Sequence, residues 1–99
     1  MTAAADRRDW VGPVLQAGAT ANAVVAAIRQ ENPAAEIIDR GSYLRVLAPH
    51  CCSVSRCEIE THLGGVFTLP GDLEKIMPSF KGSFRVSEDG ASWSFSERK

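Results

Sequence analysis

The chain has 99 residues, of which 44% are hydrophobic and 23% charged, and its formal net charge is −1. A chain of this length favours one domain with a modest core, which competes with any deep active site for apolar residues. Its 11 Lys and Arg residues are dispersed, so they do not form the basic stripe that binds nucleic acid. No apolar run approaches the ~18 residues of a membrane-spanning helix, and the first residues lack the apolar stretch of a secretory signal. We therefore expect a cytoplasmic protein that contacts neither nucleic acid nor membrane.

The first half of the chain predicts a strand, a helix and two further strands. Residues 1–9 are small and charged without periodicity, and we expect a flexible arm there. Residues 10–16 predict a strand, which should lie at a sheet edge or carry an irregularity because Pro13 cannot donate a hydrogen bond. Thr20 is expected to cap a helix that stops at Asn32-Pro33, a pair taken to mark the helix end and nothing more. The apolar stripe of this helix consists of Ala21, Val24, Val25 and Ile28.

Two short strands should follow this helix. Residues 36–39 predict the first, residues 40–42 a turn, and residues 43–48 the second. The second alternates in polarity, which is typical of a strand with one buried face. One face should carry Leu44, Val46 and Ala48, and the other Tyr43, Arg45 and Leu47.

The second half begins with a short strand at residues 51–54 and continues into a helix. Ser55 and Glu58 have the spacing of a capping box, in which each side chain accepts a hydrogen bond from the other residue's backbone N–H. The helix should end at Leu63, because Gly64-Gly65 supplies the left-handed conformation that terminates helices.

A third helix and a hairpin complete the prediction. Residues 68–77 predict a helix with Pro70 and Asp72 in its first turn and an apolar face formed by Leu73, Ile76 and Met77. Pro78 prevents its continuation. Ser83–Val86 and residues 92–95 alternate with a period of two, so Phe84 and Val86 should oppose Trp93 and Phe95. The two strands are joined through Asp89-Gly90, a strong hairpin signal.

The order of these elements predicts an α+β fold. Its two similar halves read β-α-β-β and β-α-α-β-β, and no linker separates them. We therefore expect residues 10–99 to form a single compact domain, preceded by the flexible arm of residues 1–9.

Five potential metal ligands cluster in the middle of the sequence, but their spacing argues against a metal site. Adjacent cysteines on a strand point to opposite faces, and a Cys and a His five residues apart on a helix do not share a stripe. Three cysteines, an odd number, also make a disulfide framework unlikely to form. We expect structural thiols that remain reduced. The five residues are His50, Cys51, Cys52, Cys57 and His62.

Other chemistry has equally weak support. Cys57 lies near a predicted helix N-terminus, where a thiol pKa can fall, but no oxyanion feature accompanies it. Neither nucleotide-binding glycine motif occurs. Trp93 and Phe95 are expected to face the core rather than stack on bases. A thiol enzyme and a small ligand- or RNA-binding α+β module nevertheless stay open as alternatives.

Several short motifs resemble the effector, or coupling, proteins of bacterial multicomponent diiron monooxygenases, above all those of the toluene, phenol and alkene enzymes. The similarity covers roughly residues 10 to 96 and depends on the order and spacing of the motifs. They are Val11-Gly12-Pro13-Val14-Leu15, Glu31-Asn32-Pro33, Tyr43-Leu44-Arg45-Val46, Leu63-Gly64 with Phe67, Ser79-Phe80-x-Gly82, Glu88-Asp89 and Trp93-Ser94-Phe95.

This resemblance implies a regulatory component without a cofactor, a metal or an activity of its own. Such a protein binds the hydroxylase, whose helical bundle holds the diiron centre. Binding modulates the active site and couples electron transfer and O₂ activation to hydrocarbon oxidation. A separate reductase, often acting through a Rieske-type ferredoxin, supplies the electrons.

The resemblance also implies a hydroxylase-binding segment at residues 77–82, between the last helix and the hairpin. We carry that role to Pro78, Ser79, Phe80 and Gly82, and add Val11 and Gly12 as contacts. Bulky Phe80 departs from the small residues of the methane-type proteins, so no gating detail is carried over. In the alternative interpretation, Gly82 is only a turn residue and Phe80 a plug in the core.

Overall fold

A computed structural model describes residues 8–95 of the chain. The predictions for residues 1–7 and 96–99, including most of the expected arm, lie outside this range. The described part confirms an α+β fold with three helices and seven strands. The helices are α1 (Ala19–Glu31), α2 (Arg56–Leu63) and α3 (Gly71–Ile76), and the strands are β1 (Trp10–Gln16), β2 (Glu36–Asp39), β3 (Tyr43–Pro49), β4 (Cys51–Ser55), β5 (Ser79–Lys81), β6 (Ser83–Val86) and β7 (Gly90–Ser94).

The strands form two antiparallel sheets. The first sheet has the order β2-β3-β1-β5 and the second the order β4-β7-β6. Strand β1 contacts β4 and β7 of the second sheet, while α1 packs on α2 and β4. One continuous core thus joins both sheets to the helices, and its largest fully buried side chains include Trp93, Phe67 and Leu15.

Strand β1 has the predicted bounds but lies inside its sheet, between β3 and β5. Of the two expected arrangements, an edge position or an irregularity, the structure has the irregularity. The register with β3 pairs Val11 with Ala48 and Val14 with Arg45, and skips Gly12 and Pro13 between them. A Cβ on Gly12 would stand 2.2 Å from the carbonyl oxygen of Val46. At Gly12 and Pro13 the regular pairing of β1 with β3 is therefore interrupted, and glycine allows the two backbones to approach closely there.

Helix α1 buries the predicted stripe but begins earlier than expected. The helix starts at Ala19, the N-cap is Gly18, and no side chain caps it. Thr20 is therefore not the cap, because it already lies within the first turn. At the other end the helix stops at Asn32 as predicted, where the backbone N–H donates to the Ile28 carbonyl at 2.7 Å.

Asn32 and its neighbour Glu31 do more than end the helix, which corrects the sequence interpretation. The Asn32 side chain donates to the Ser53 carbonyl at 2.6 Å and accepts from the Ser53 N–H at 3.1 Å. Glu31 accepts from the Ser55 N–H at 2.7 Å and from its hydroxyl at 2.9 Å. Because these bonds occupy the outer side of β4 as a further strand would, we call this side the sealed edge.

Helix α2 confirms half of the predicted capping box. The Ser55 hydroxyl accepts from the Glu58 N–H at 3.2 Å. The reciprocal bond is wrong, because the Ser55 N–H donates to Glu31 and the Glu58 carboxylate lies 3.3 Å from His62 Nε2 instead. Gly64 ends the helix in the predicted left-handed conformation, with φ at 79°.

Helix α3 is shorter than predicted, since it covers only Gly71–Ile76. The residues before it are held by Asp72, whose carboxylate accepts from the Thr68 N–H at 2.8 Å. Leu73 and Met77 are buried and Ile76 packs against the core, so the predicted apolar face is confirmed.

The last three strands depart most from the prediction. Residues 79–81, expected to be loop, form β5 and pair with β1. The hairpin is confirmed with Phe84 opposite Trp93, but Val86 faces Ala91 rather than Phe95. Phe95 lies beyond β7 and is 36% exposed, so its expected core position is wrong.

The turn between β3 and β4 holds both ends of the described chain. His50 adopts a positive φ of 66° there. Its N–H donates to the Asp9 carbonyl at 2.9 Å, and its carbonyl accepts from the Phe95 N–H at 2.8 Å. The imidazole Nε2 lies 2.8 Å from the Asp9 carboxylate. His50 therefore holds the first and the last residues of the described chain close together.

Candidate docking surface

Two consecutive strands form the outermost positions of the two sheets. Strand β5 is the last strand of the first sheet and β6 the last of the second, and only Gly82 separates them. Within residues 8–95, no strand pairs with the outer side of either. We call β5, Gly82 and β6 together the open edge. Such edges can pair with or bind other chains, so proteins usually cover or charge them.

Gly82 makes this arrangement sterically feasible. Its φ is +107°, and an added Cβ would lie 2.7 Å from Val11 Cγ1 and 2.9 Å from the Ser94 carbonyl oxygen. A side chain there would collide with β1 and with the end of β7. Glycine therefore allows one extended segment to change sheets over the core, which goes beyond the turn role considered from sequence.

Three aromatic rings lead from the core to the open edge. Trp93 is fully buried, and its ring centroid lies 5.4 Å from that of Phe84. The Phe84 centroid lies in turn 5.2 Å from that of Phe80, which is 44% exposed. These spacings are typical of favourable aromatic pairs. Phe80 thus closes the core from outside while presenting almost half of its surface to solvent.

Exposed aromatic side chains concentrate around this edge. Phe80, Tyr43 and Phe95 are three of the four exposed large hydrophobic residues in the described range. Tyr43 lines a cleft with Ser79, and Phe95 lines one with Gly82. Aromatic residues are enriched in the cores of protein interfaces. This clustering distinguishes the open edge from the rest of the described surface.

Two clefts adjoin the first part of the open edge, one lined by Ser79 and the other by Lys81 and Gly82. The larger, about 550 Å³, is lined by Val14, Gln16, Ser42, Tyr43, Arg45, Pro78 and Ser79. The smaller, about 250 Å³, is lined by Arg8, Val11, Lys81, Gly82, Ser83 and Phe95. Among residues 8–95, the linings of these clefts include three cationic residues and no Asp or Glu.

The residues predicted to contact a partner divide into two groups. Pro78, Ser79, Phe80 and Gly82 are exposed at the start of the open edge. Val11 and Gly12 are buried in β1 beneath it, so they are not carried into the surface proposed below. Tyr43, Arg45 and Phe95 belong to the surface but were not identified as site residues, because only the strand pairing brings them beside residues 78–82.

The other chemical groups are dispersed. Among residues 8–95, no three His, Cys, Asp or Glu side chains come close enough to hold a metal ion together. The three cysteines are unpaired, and burial, assisted by neighbouring Cys51, raises the pKa of the Cys52 thiol to about 12. Trp93 is buried as predicted. None of the described helices has the length and apolar content needed to cross a membrane.

Sequence comparison assigns the chain to a protein family. Residues 9–94 match the MmoB/DmpM family. The chain belongs to this family. It is also 40% identical, over 85 residues, to a protein described as the effector subunit of the alkene monooxygenase system of Xanthobacter autotrophicus (strain ATCC BAA-1158 / Py2). That alignment covers 84% of this chain and 83% of the relative, so the two proteins correspond over nearly their whole lengths.

Structural comparison finds the same fold in two solved structures. One chain from a structure of a phenol hydroxylase–regulatory protein complex matches with a TM-score of 0.79 and 20% identity, covering 88% of this chain and 99% of that one. A chain from a second structure of such a complex matches with a TM-score of 0.75 at 20% identity, covering 87% and 99%. At this identity the two matches establish a shared fold.

Proposed function

We propose that this member of the MmoB/DmpM family is the effector protein of a multicomponent diiron monooxygenase. In this proposal it binds the hydroxylase component, modulates its active site, and couples electron transfer and O₂ activation to hydrocarbon oxidation. It has no catalytic activity and no cofactor of its own. The observation that carries the proposal is the similarity to an alkene monooxygenase effector subunit along nearly the whole chain.

The open edge is the surface that we propose for docking. Exposed aromatic residues at the centre of an interface commonly supply most of the binding free energy. Phe80 meets this description, because its ring packs on half-buried Phe84, which packs in turn on buried Trp93, while 44% of Phe80 stays exposed. Because its ring is already held by this packing, Phe80 loses less conformational freedom when a partner covers it. Pro78 and Ser79 precede it directly in the chain.

An effector can change a hydroxylase only through a difference in affinity. It shifts the enzyme toward one conformation by binding that conformation more tightly than the other. A stable interface buries about 800 Å² on each partner. The described chain has an accessible surface of 5682 Å², so an interface of ordinary size would occupy a substantial part of it.

The other components of the monooxygenase system supply electrons and select the substrate in this proposal. Electrons come from a separate reductase, directly or through a Rieske-type ferredoxin, and substrate choice belongs to the hydroxylase pocket. We place the protein in the cytoplasm, a location that its unpaired cysteines favour.

Reconstitution tests this function directly. The purified hydroxylase and reductase of one system are assayed for product formation and NADH consumption, with and without the full chain. We expect a higher hydroxylation rate and more product per NADH when the chain is present. An unchanged rate and unchanged coupling would contradict the proposal, as would hydroxylation by the chain alone.

Two matched variants then test the docking surface. Phe80→Ala should weaken hydroxylase binding by about 2 kcal/mol, the size typical of a central aromatic contact. Val66→Ala is the control, because Val66 is 82% exposed but lines neither cleft. Calorimetric titration of hydroxylase with each variant gives the two dissociation constants. Equal losses for both variants would show that the open edge is not the docking surface.

A further inference from the structure

We infer that the larger cleft beside the open edge recognises a carboxylate group on the surface of the hydroxylase, with Arg45 as the main ionic contact. The inference rests on the proposed function, because it assumes that the open edge is where the hydroxylase docks. It adds the chemistry of the surface that the hydroxylase must present there.

The charge of the two clefts beside the open edge differs in sign from that of the whole chain. The chain carries a net charge of −1, yet among residues 8–95 the cleft linings include Arg8, Arg45 and Lys81 and no Asp or Glu. At the other end of the open edge, Arg85 and Val86 of β6 instead line a cleft with Glu31 and Asp89. Complementary charge guides association and selects partners, so an acidic partner surface fits the first two clefts best.

Arg45 is the cation best placed for this role. It is exposed on β3, where its strand neighbours in the register are the apolar residues Val14 and Ile38. Within the described residues, its guanidinium has no ion pair or side-chain hydrogen bond. By contrast, the Arg56 guanidinium lies 3.6 Å from the Glu60 carboxylate. The Lys75 ammonium lies 3.6 Å from the Asp72 carboxylate.

The surroundings of Arg45 favour a carboxylate over a diffuse negative field. A guanidinium can donate two parallel hydrogen bonds to one carboxylate. Ser42, Tyr43 and Ser79 line the same cleft and supply hydroxyl donors, while Val14 and Pro78 supply apolar walls. Apolar walls that exclude water on docking strengthen the ionic interaction. The cleft, at about 550 Å³, has room for at least one acidic side chain.

Charge reversal provides the test. Binding of Arg45→Glu to the purified hydroxylase is compared with wild type and with Arg29→Glu, which makes the same charge change at an exposed position of α1 outside both clefts. At about 0.1 M salt we expect Arg45→Glu to bind at least about tenfold more weakly. At about 1 M salt, where the Debye length falls to about 3 Å, wild type and variant should converge. Arg29→Glu should bind within about twofold of wild type at both salt concentrations.

A milder variant and a second ligand complete the design. Arg45→Gln removes the charge and keeps a polar side chain, so we expect an intermediate loss of affinity, with a thermal melt confirming that each variant folds. A single-stranded RNA oligonucleotide is titrated in parallel. Arg45-dependent RNA binding as tight as hydroxylase binding would overturn the inference in favour of a nucleic-acid partner.

The remaining outcomes separate the inference from the proposed function. Unchanged affinity of both Arg45 variants, together with a loss for Phe80→Ala, would overturn the ionic contact while leaving hydroxylase docking intact. Absence of any binding by wild type would overturn both.

Discussion

The sealed edge and the open edge are outermost strands of the same small protein, but they meet solvent differently. On the sealed edge, Asn32 and Glu31 satisfy the outward backbone groups of Ser53 and Ser55. On the open edge, no described strand or helix end does the same for β5 and β6, and Phe80 lies exposed instead. Both edges carry the same risk of unwanted strand pairing. The comparison separates a strand edge that side chains close from one that no described strand or helix end covers.

The largest effect should come from removing the bend of the open edge. Gly82→Ala places a Cβ 2.7 Å from Val11 Cγ1 and 2.9 Å from a backbone oxygen, at a φ of +107°. We expect a loss of about 2–4 kcal/mol of unfolding free energy, because strain and collision add. Urea denaturation measures the loss. Gly65→Ala is the control, since nothing lies within 4 Å of its added Cβ, and it should stay within about 0.5 kcal/mol of wild type.

Opening the sealed edge should have the next largest effect. Asn32→Ala removes the side-chain bonds to Ser53 and the bond to the Ile28 carbonyl at 2.8 Å. We expect a loss of about 1–2 kcal/mol in urea denaturation, because water replaces part of these bonds. Light scattering at high concentration should also detect more self-association, since the edge of β4 is uncovered.

A second asparagine on the same helix serves as the reference for this variant. Asn22 is exposed in the first half of α1, and Asn22→Ala should be neutral or slightly stabilising because alanine favours helix. Equal stability of the two alanine variants would contradict the proposed sealing role.

A smaller effect should distinguish the two glutamates near Ser55. Glu31→Gln weakens the acceptors for the Ser55 N–H and hydroxyl, and we expect a cost of about 0.5–1 kcal/mol. Glu58→Gln should cost less, because the Glu58 side chain contacts only exposed His62 at 3.3 Å. Thermal melts of both variants under one buffer measure the difference. A larger loss for Glu58→Gln would restore the reciprocal capping box expected from sequence.

The smallest expected effect concerns the reactivity of the cysteine thiols of β4. The free energy of unfolding at neutral pH should stay unchanged. In a Cys51→Ser/Cys57→Ser variant, the remaining Cys52 should resist a thiol reagent at about pH 8 until urea unfolds the chain, because thiolate is the reactive form. The pKa of Cys52 is about 12 in the folded protein against 9.0 ordinarily, since burial disfavours the charged form. The unfolded thiol ionises first, so stability should fall as the pH rises from 9 toward 12.

Labelling the complementary variant supplies the contrast. Cys52→Ala keeps Cys51 and Cys57, which are both exposed, and both should react in the native state. Rapid native labelling of Cys52 in the first variant would mean that β4 opens readily and that its edge is not sealed.

The sequence alone predicted the elements that local patterns specify. The bounds of β1, the buried stripe of α1 and the pairing of Phe84 with Trp93 follow from periodicity and turn residues. Strand β5 escaped prediction because three residues between Pro78 and Gly82 have no measurable period. The seal formed by Asn32 is a contact between residues 21 apart in sequence, and no local pattern reveals such a partner.

The docking surface was only partly predictable for a similar reason. Ser79, Phe80 and Gly82 entered through family resemblance rather than through any property of the segment itself. Arg45 and Tyr43 occur in a strand with ordinary alternation, and only the pairing of β1 with both β3 and β5 places them beside that segment. The cleft is thus a product of tertiary structure.

The turn at His50 has a practical consequence for engineering this protein. Because Asp9 and Phe95 hydrogen-bond to the same residue, they lie within roughly 10 Å of each other, a gap that about three extended residues span. A circular permutant joined there and reopened between Gly64 and Gly65 would keep every strand pairing intact. Its new termini would lie at the exposed end of α2, which lines neither cleft beside the open edge, so an affinity tag or dye could be attached there.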